Sequence, residues 1–354
     1  MSRMKTEVVS VDVLSPEKSK DDIIRAAEII KGGGLVVFPT ETVYGLGGDG
    51  TNPDAARKIY AAKGRPGDNP LIIHIARPED AEKYAETTEI YFKLAKRFMP
   101  GPLTVILKSK GSVPKETRGG LDTVAVRCPE NKIARLLIEY SGVAIAAPSA
   151  NLSGSPSPTT ARHVIDDMMD RVDMIIDGGD CEFGLESTIV KIDSDNSLTL
   201  LRPGKITVAE LSEIADVRIA PAVLDKLQEN EVALSPGMKY RHYAPKAPLV
   251  LLNGDIEAQL RYIREEDISG IAYISYTEDA EFLKKENPNM PIYDLGSKND
   301  ELTQAHRLFY ILREADKCGY KRIYAPLPNT DGVGLALYNR MIRAAAHTII
   351  NLRR

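Results

Sequence analysis

Apolar residues at Ile23, Ala26, Ala27 and Ile30 recur at helical spacing, so residues 20–31 are predicted to form a helix with one buried face. Ser19 and Asp22 have the S-x-x-D spacing of a capping box, and Gly32-Gly33-Gly34 stops the helix. The unbroken run Leu35-Val36-Val37-Phe38 that follows reads as a buried strand. Asn52-Pro53-Asp54 then supplies a cap, a proline for the first turn and an acid near the positive end of a second helix, which ends at Gly64. Further strands are predicted at Leu71–Ile75, Leu103–Leu107, Val124–Arg127, Val143–Ala146, Met174–Ile176, Ser187–Ile192 and Leu198–Leu201. Helices near 78–86, 88–98, 131–140 and 158–169 separate them, the last with a Ser157-Pro158 start. The alternation is not strict, which predicts a mixed rather than a purely parallel sheet.

The pattern changes after Gly204. A short helix near 207–215 leads into a segment rich in proline, aromatics and cations, Ser235-Pro236-Gly237-Met238-Lys239-Tyr240-Arg241-His242-Tyr243-Ala244-Pro245, with no period. From Pro248 strands at Leu249–Leu252, Ile271–Ser275, Ile292–Leu295 and Arg322–Ala325 alternate with helices near 255–264, 278–286, 300–318 and 334–348. The third of these helices carries Leu302, Ala305, Leu308, Phe309, Leu312 and Ala315 on one face before Gly319. The chain therefore reads as α/β throughout. A mixed, twisted-sheet domain spans residues 1–211, a linker 212–246, and a smaller doubly wound, Rossmann-like domain 247–354.

A length of 354 residues fits two domains, and 43% hydrophobic with 27% charged residues fits a globular chain. The net charge of -4 argues against a general nucleic-acid binder. From Lys246 onward, 15 basic and 15 acidic residues balance, so the second domain makes no electrostatic case for an RNA platform. No apolar run reaches membrane-spanning length, and the N-terminus lacks the apolar core of a signal peptide. Three cysteines without C-x-x-C spacing, Cys128, Cys181 and Cys318, argue against a disulfide framework or a zinc site and point to the reducing cytoplasm.

Candidate chemistry lies between the elements. Lys63-Gly64-Arg65-Pro66 sets two cations two residues apart in a loop stiffened by glycine and proline. In extended backbone such residues point the same way, roughly 6–7 Å apart, a spacing that straddles a polyphosphate. Lysine offers a compact charge and arginine a planar fork. His74 interrupts an apolar strand just beyond, as a core histidine or a substrate contact. Ser149 and Asn151 sit in a loop of small residues after a strand, where an ordinary capped turn competes with close approach of a nucleotide. Arg127 ends another strand, available to a substrate carboxylate or to a structural ion pair. Gly45-Leu46-Gly47-Gly48-Asp49-Gly50 formally matches G-x-G-x-x-G, but Thr40-Glu41-Thr42-Val43-Tyr44 intervenes after the preceding strand, so it does not read as a dinucleotide site.

Seven segments in order carry a resemblance: F-P-T-E-T-V-Y-G-L-G (38–47), K-G-R-P with D-N-P-L-I-I-H-I (63–75), P-G-P-L-T (100–104), G-G-L-D-T-V-A-V-R (119–127), A-A-P-S-A-N-L-S-G (146–154), E-S-T-I-V (186–190) and L-L-R-P-G (200–204). Together they resemble the YrdC-type threonylcarbamoyl-AMP synthase family, and S-P-G-M-K-Y-R-H-Y-A-P (235–245) with the second domain is similar to its long form. The resemblance implies condensation of L-threonine, bicarbonate and ATP, with Mg2+ on the nucleotide, to threonylcarbamoyl-AMP and pyrophosphate. A separate tRNA transferase then uses the product. It also implies that Lys63 and Arg65 act on the triphosphate and that Asn69, Thr123, Ser149, Asn151, Arg202 and Tyr243 help hold ATP. Thr40, His74, Arg127, Ala147 and Ser187 would surround threonine, and Tyr240–Tyr243 would fold over the nucleotide as a lid. Two other functions compete: an RNA-binding maturation factor without chemistry, and a carbamoyl transferase using carbamoyl phosphate.

Overall fold

The computed structural model describes residues 5–226, 234–236, 242–265 and 269–352. Contacts divide the chain into a unit of Met1–Ser153 with Ser157–Lys239, and a second of Gly154–Pro156 with Tyr240–Arg354. In the first unit the strands are β1 (Glu7–Ser10), β2 (Val36–Phe38), β3 (Gly45–Asp49), β4 (Ile72–His74), β5 (Ala85–Glu86) and β6 (Leu103–Ser109). They continue as β7 (Thr123–Arg127), β8 (Ile145–Ala146), β9 (Met174–Asp177), β10 (Thr188–Ser194), β11 (Ser197–Arg202) and β12 (Asp216–Ile219). The helices between them are α1 (Lys20–Lys31), α2 (Pro53–Lys63), α3 (Glu89–Phe98), α4 (Lys132–Ser141), α5 (Ala161–Met168) and α6 (Val208–Ser212).

These strands form one mixed sheet in the order β1-β9-β2-β3-β8-β4-β7-β6-β10-β11-β12, with β5 beside β6. The mixed character follows from pairs such as β4–β7, parallel, and β6–β7, antiparallel. One face packs on α1 and α4: Ile23, Ala26, Ala27 and Ile30 meet Val36, Phe38, Ile133, Leu137 and Ile145 in a single buried cluster. Each large aliphatic side chain there contributes about 1.5–3 kcal/mol.

Several local readings change. The glycines of residues 45–48 lie in β3, and their small size serves strand packing. A Cβ on Gly47 would come within 2.7 Å of Phe38 Cε1 and 2.8 Å of Ile145 Cγ2. Ser19 flanks α1 without a capping hydrogen bond, and α5 is capped by Thr160 rather than started at Ser157. The helix expected near 78–86 is a 3-10 turn, Pro78–Lys83, followed by β5. Polar, short edge segments hide from periodicity: β1 and β12 were not expected. β12 falls in the segment read as a linker and pairs in parallel with β11.

The second unit holds β13 (Leu249–Asn253), β14 (Ile271–Tyr276), β15 (Ile292–Gly296), β16 (Arg322–Pro326) and β17 (Ile349–Asn351), with α7 (Ile256–Arg264), α8 (Thr277–Glu286), α9 (Glu301–Cys318) and α10 (Gly334–Ala344). All its strand pairs are parallel, in the order β15-β14-β16-β13-β17. The connections reverse direction, as a doubly wound sheet requires. The order differs from the 3-2-1-4-5 of dinucleotide folds because the first and fourth strands have exchanged places. Among the described residues no helix is long and apolar enough to cross a membrane.

Candidate active site

Lys63 is the last residue of α2, and Gly64 terminates the helix in the left-handed region with φ 61°. The extended i, i+2 geometry expected for Lys63 and Arg65 is therefore wrong: the helix end turns the chain between them. Gly64 makes that turn because a residue without Cβ pays no steric penalty at positive φ. The two cations reach different partners. Lys63 Nζ donates to the carbonyl oxygen of Ser149, to that of Asn151 at 2.5 Å and to Asn151 Oδ1 at 3.3 Å. Arg65 Nη2 donates to the carbonyls of Asn69 at 3.1 Å and Pro70 at 3.0 Å.

The loop after β8 is held from several sides. Ser149 Oγ donates to Asn151 Oδ1 at 2.5 Å, and Asn151 Nδ2 donates to Leu152 O at 2.7 Å. Backbone bonds Ala147 N–Ile72 O, Leu46 N–Pro148 O, Ala150 N–Tyr44 O and Ser153 N–Lys63 O, all between 2.8 and 2.9 Å, tie it to β4, β3 and the end of α2. The K-x-R and S-x-N segments, 84 residues apart at Arg65 and Ser149, thus form one buried polar assembly. Thr123 opens β7 and is half-buried. Four strand residues, roughly 13 Å, separate it from Arg127.

A second cluster centres on Arg127. Its Nη2 donates to Glu41 Oε1 at 2.6 Å, an ion pair with side chains only 5% and 6% exposed. Glu41 Oε2 also accepts from the backbone N–H of Glu130 at 3.2 Å and Asn131 at 3.5 Å, at the N-terminus of α4, where the helix dipole favours an anion. Thr40 Oγ1 donates to Val43 O at 2.6 Å and accepts from the N–H of Thr42 and Val43, so its hydroxyl organises the 40–43 turn. Phe183 N and Gly184 N donate to the carbonyls of Glu41 and Thr42 and hold that turn in place.

His74 pairs in register with Arg127 across β4 and β7. Burial, and then the Arg127 charge, push the imidazole down to about 3, so the ring is neutral across the physiological range. Among the described residues, His74 Nδ1 and Arg127 Nε are buried without a hydrogen-bond partner, the imidazole otherwise meeting the backbone of Ile145 and Ile72. Buried polar atoms are rarely left so, which makes these two, on adjacent strands, candidates for bonding to a polar ligand. A linkage prediction follows. The folded state refuses the proton that the unfolded chain takes below pH 6.5. Stability from this residue is therefore lost as pH falls below that value. Between about pH 7 and about pH 5, an H74Q variant should gain about 2 kcal/mol relative to the parent in denaturant titrations. Parallel stability curves for the two proteins would refute this.

The same in-register row continues from Arg127 to Thr104 on β6, Ile189 on β10 and Arg202 on β11. Directly paired residues share a face, with about 4.8 Å between strands. Beside this row Ser187 Oγ lies 2.8 Å from Thr104 Oγ1, and Arg202 donates to Ser187 O at 2.9 Å and Ser187 Oγ at 3.1 Å.

Tyr243 lies in the second unit. Its ring stacks on Phe309 at 5.2 Å, with the guanidinium of Arg340 5.5 Å from its centroid and the His242 ring 5.5 Å away, so three neighbours already engage it. Tyr240 and Arg241 of the expected lid lie outside the described residues. A cavity of about 570 Å3 opens elsewhere in the first unit, lined by Arg77, Lys83, Lys132, Arg135 and Glu139 among others, and takes in none of the candidate residues. Neither buried thiol suits nucleophilic work: burial raises Cys128 to about 12 and raises Cys181 further.

Glu41 is the residue that sequence reasoning passed over. It is the sole charged residue of F-P-T-E-T-V-Y-G-L-G, and a lone carboxylate among core-type residues needs a cation. That signal was present but did not name Arg127.

Comparison with known proteins places the chain in a family. The Sua5/YciO/YrdC family model, described as telomere recombination, matches residues 28–204, and the model for the threonylcarbamoyl-AMP synthase C-terminal domain matches residues 206–346. A threonylcarbamoyl-AMP synthase of Pyrococcus abyssi is 44% identical over 92% of this chain and 95% of its own length. One from Bacillus subtilis is 41% identical over 98% of this chain and the whole of its own. The crystal structure of Pyrococcus abyssi Sua5 complexed with L-threonine superposes with a TM-score of 0.87 at 40% identity, covering 98% of this chain and 100% of that one. In both its segments, this chain belongs to the Sua5/YciO/YrdC family, in the form that carries the threonylcarbamoyl-AMP synthase C-terminal domain.

Proposed function

We propose that the chain is an L-threonylcarbamoyladenylate synthase, a nucleotidyltransferase that condenses L-threonine, bicarbonate and ATP. The observation that carries the reading is the pair of orphaned buried atoms, His74 Nδ1 and Arg127 Nε, in a first unit that also buries two cations, Lys63 and Arg65. An amino acid supplies a carboxylate for Arg127 and polar groups for His74, with Thr40, Ala147 and Ser187 as further walls. Lys63, Arg65, Asn69, Thr123, Ser149, Asn151 and Arg202 are donors or cations, the chemistry that phosphate and ribose oxygens require.

In this reading the threonine amine adds to bicarbonate carbon, and water leaves to give a carbamate. A carbamate oxygen then attacks the α-phosphorus in line, and pyrophosphate departs with the bonding electrons. Such a displacement needs placement and charge neutralisation rather than a protein nucleophile. The buried ammonium of Lys63 holds the 149–151 loop and adds positive charge, and Arg65 adds a second. The neutral imidazole of His74 orients substrate by hydrogen bonding, not by charge. The candidate nucleotide residues include no carboxylate, so Mg2+ would be held through the phosphates of ATP, where it would neutralise charge on the leaving group. The product serves a separate enzyme that carries the threonylcarbamoyl group to tRNA, and the reaction belongs to the cytoplasm.

Pyrophosphate release from ATP and Mg2+, followed with and without threonine and bicarbonate, tests the proposal. Release should require both, and mass spectrometry should find the adenylate. Release that ignores threonine, or none at all, would defeat it.

A further inference from the structure

We infer that Glu41 is a positioning residue that sets the pose of Arg127 for the amino-acid carboxylate. This rests on the reading of Arg127 as the partner of that carboxylate. Glu41 is fixed at three points. Its carboxylate accepts from Arg127 Nη2 on one oxygen and from two backbone N–H groups on the other, and its carbonyl accepts from Phe183 N at 2.9 Å. It is therefore a stationary anchor rather than a mobile surface acid.

The guanidinium has five N–H bonds in a rigid plane. Glu41 takes one at Nη2, while Nε stays buried and without a partner among the described residues. A planar fork held at one corner has its plane set, and with it the direction of the remaining N–H bonds. The Glu41–Arg127 contact thus leaves the Nε edge in a defined place, at the strand position in register with His74. A carboxylate arriving there would find a donor already oriented, and less entropy would be lost on binding. Two carboxylates on one cation is acceptable because Glu41 has its own compensation at the N-terminus of α4.

The role depends on reach and on both carboxylate oxygens being held, and two variants probe these. Glu41→Asp keeps the charge but shortens the arm by one methylene, so it cannot span Arg127 and the α4 terminus together. Glu41→Gln loses the charge but keeps a carbonyl oxygen for Arg127, at the expense of the backbone contacts. In steady-state assays with saturating co-substrate, E41D should raise the threonine KM about tenfold, with the ATP KM within about twofold of the parent. E41Q keeps one oxygen for Arg127 but turns an NH2 toward the α4 N–H groups, so it should raise the threonine KM as well, by less than E41D does. Thermal unfolding establishes that both are folded. A normal E41D with an impaired E41Q, or equal shifts of both KM values in E41D, would overturn the inference. If the parent shows no threonine-dependent turnover, the functional proposal fails. Calorimetric threonine affinity of parent and E41D then decides the role of Glu41 separately, and equal affinities, or no binding by either, refute it.

Discussion

Replacing Lys63 with alanine is expected to lower threonine-dependent pyrophosphate release by roughly 10²–10³-fold, the usual consequence of deleting one preorganised charge contact. The cause has two parts. The first is loss of a positive charge that is 3% exposed, where low polarity makes it count for more than it would in water. The second is loss of loop geometry. The ammonium holds the carbonyls of Ser149 and Asn151 and the Asn151 side chain together, and nothing in alanine replaces those donors. Asn151 Oδ1 keeps its bond from Ser149 Oγ, but a buried carbonyl that loses its donor costs about 1–3 kcal/mol before the loop relaxes. Arginine should not rescue the defect, because a planar fork cannot converge on three acceptors around one nitrogen. Initial rates with circular dichroism as a folding control decide the matter. If K63A turns over within tenfold of the parent, the assignment of this cation is wrong.

Arg127→Met should destabilise the protein by about 3–5 kcal/mol, because it strands the Glu41 carboxylate in the interior without its cation. Breaking such a pair from one side is far worse than removing it from both. The double variant E41L/R127M should therefore recover most of the lost stability, since two apolar groups leave no uncompensated charge. It should remain unable to use threonine, because the donor for the carboxylate is gone. Denaturant midpoints for the two variants, alongside threonine-dependent turnover, give four readings. A double variant no more stable than R127M would show that the pair contributes through something other than charge compensation. A double variant with normal threonine KM would remove Arg127 from the substrate site.

Phosphate, carboxylate and amino-acid recognition draw on few residue types, so polar residues in otherwise apolar surroundings were the ones to single out. Lys63, Arg65, Ser149, Asn151 and Arg127 stood out as polar residues at the ends of apolar runs, and they lie there in the structure. The resemblance of seven ordered segments added what spacing could not, a reaction. Spacing also misled. Lys63 and Arg65 looked like a two-pronged clamp because the loop between glycine and proline was assumed extended, whereas Lys63 still belongs to α2. Ser157 looked like a helix cap and instead donates to Glu186. Each error took a local signal at face value where a distant partner had the stronger claim.

Periodicity, caps and breakers were enough to place most helices and the buried strands, because burial of one face and termination of a helix are local events that a window of a dozen residues records. They were also enough to separate a mixed sheet from a parallel one. The row that carries His74, Arg127, Thr104 and Arg202 belongs to no window, since β4, β7, β6, β10 and β11 come together only when the sheet closes its register. The Glu41–Arg127 pair joins residues 86 apart. Ionic and hydrogen-bond partners are chosen by proximity in space, and proximity across such separations is a property of the folded sheet.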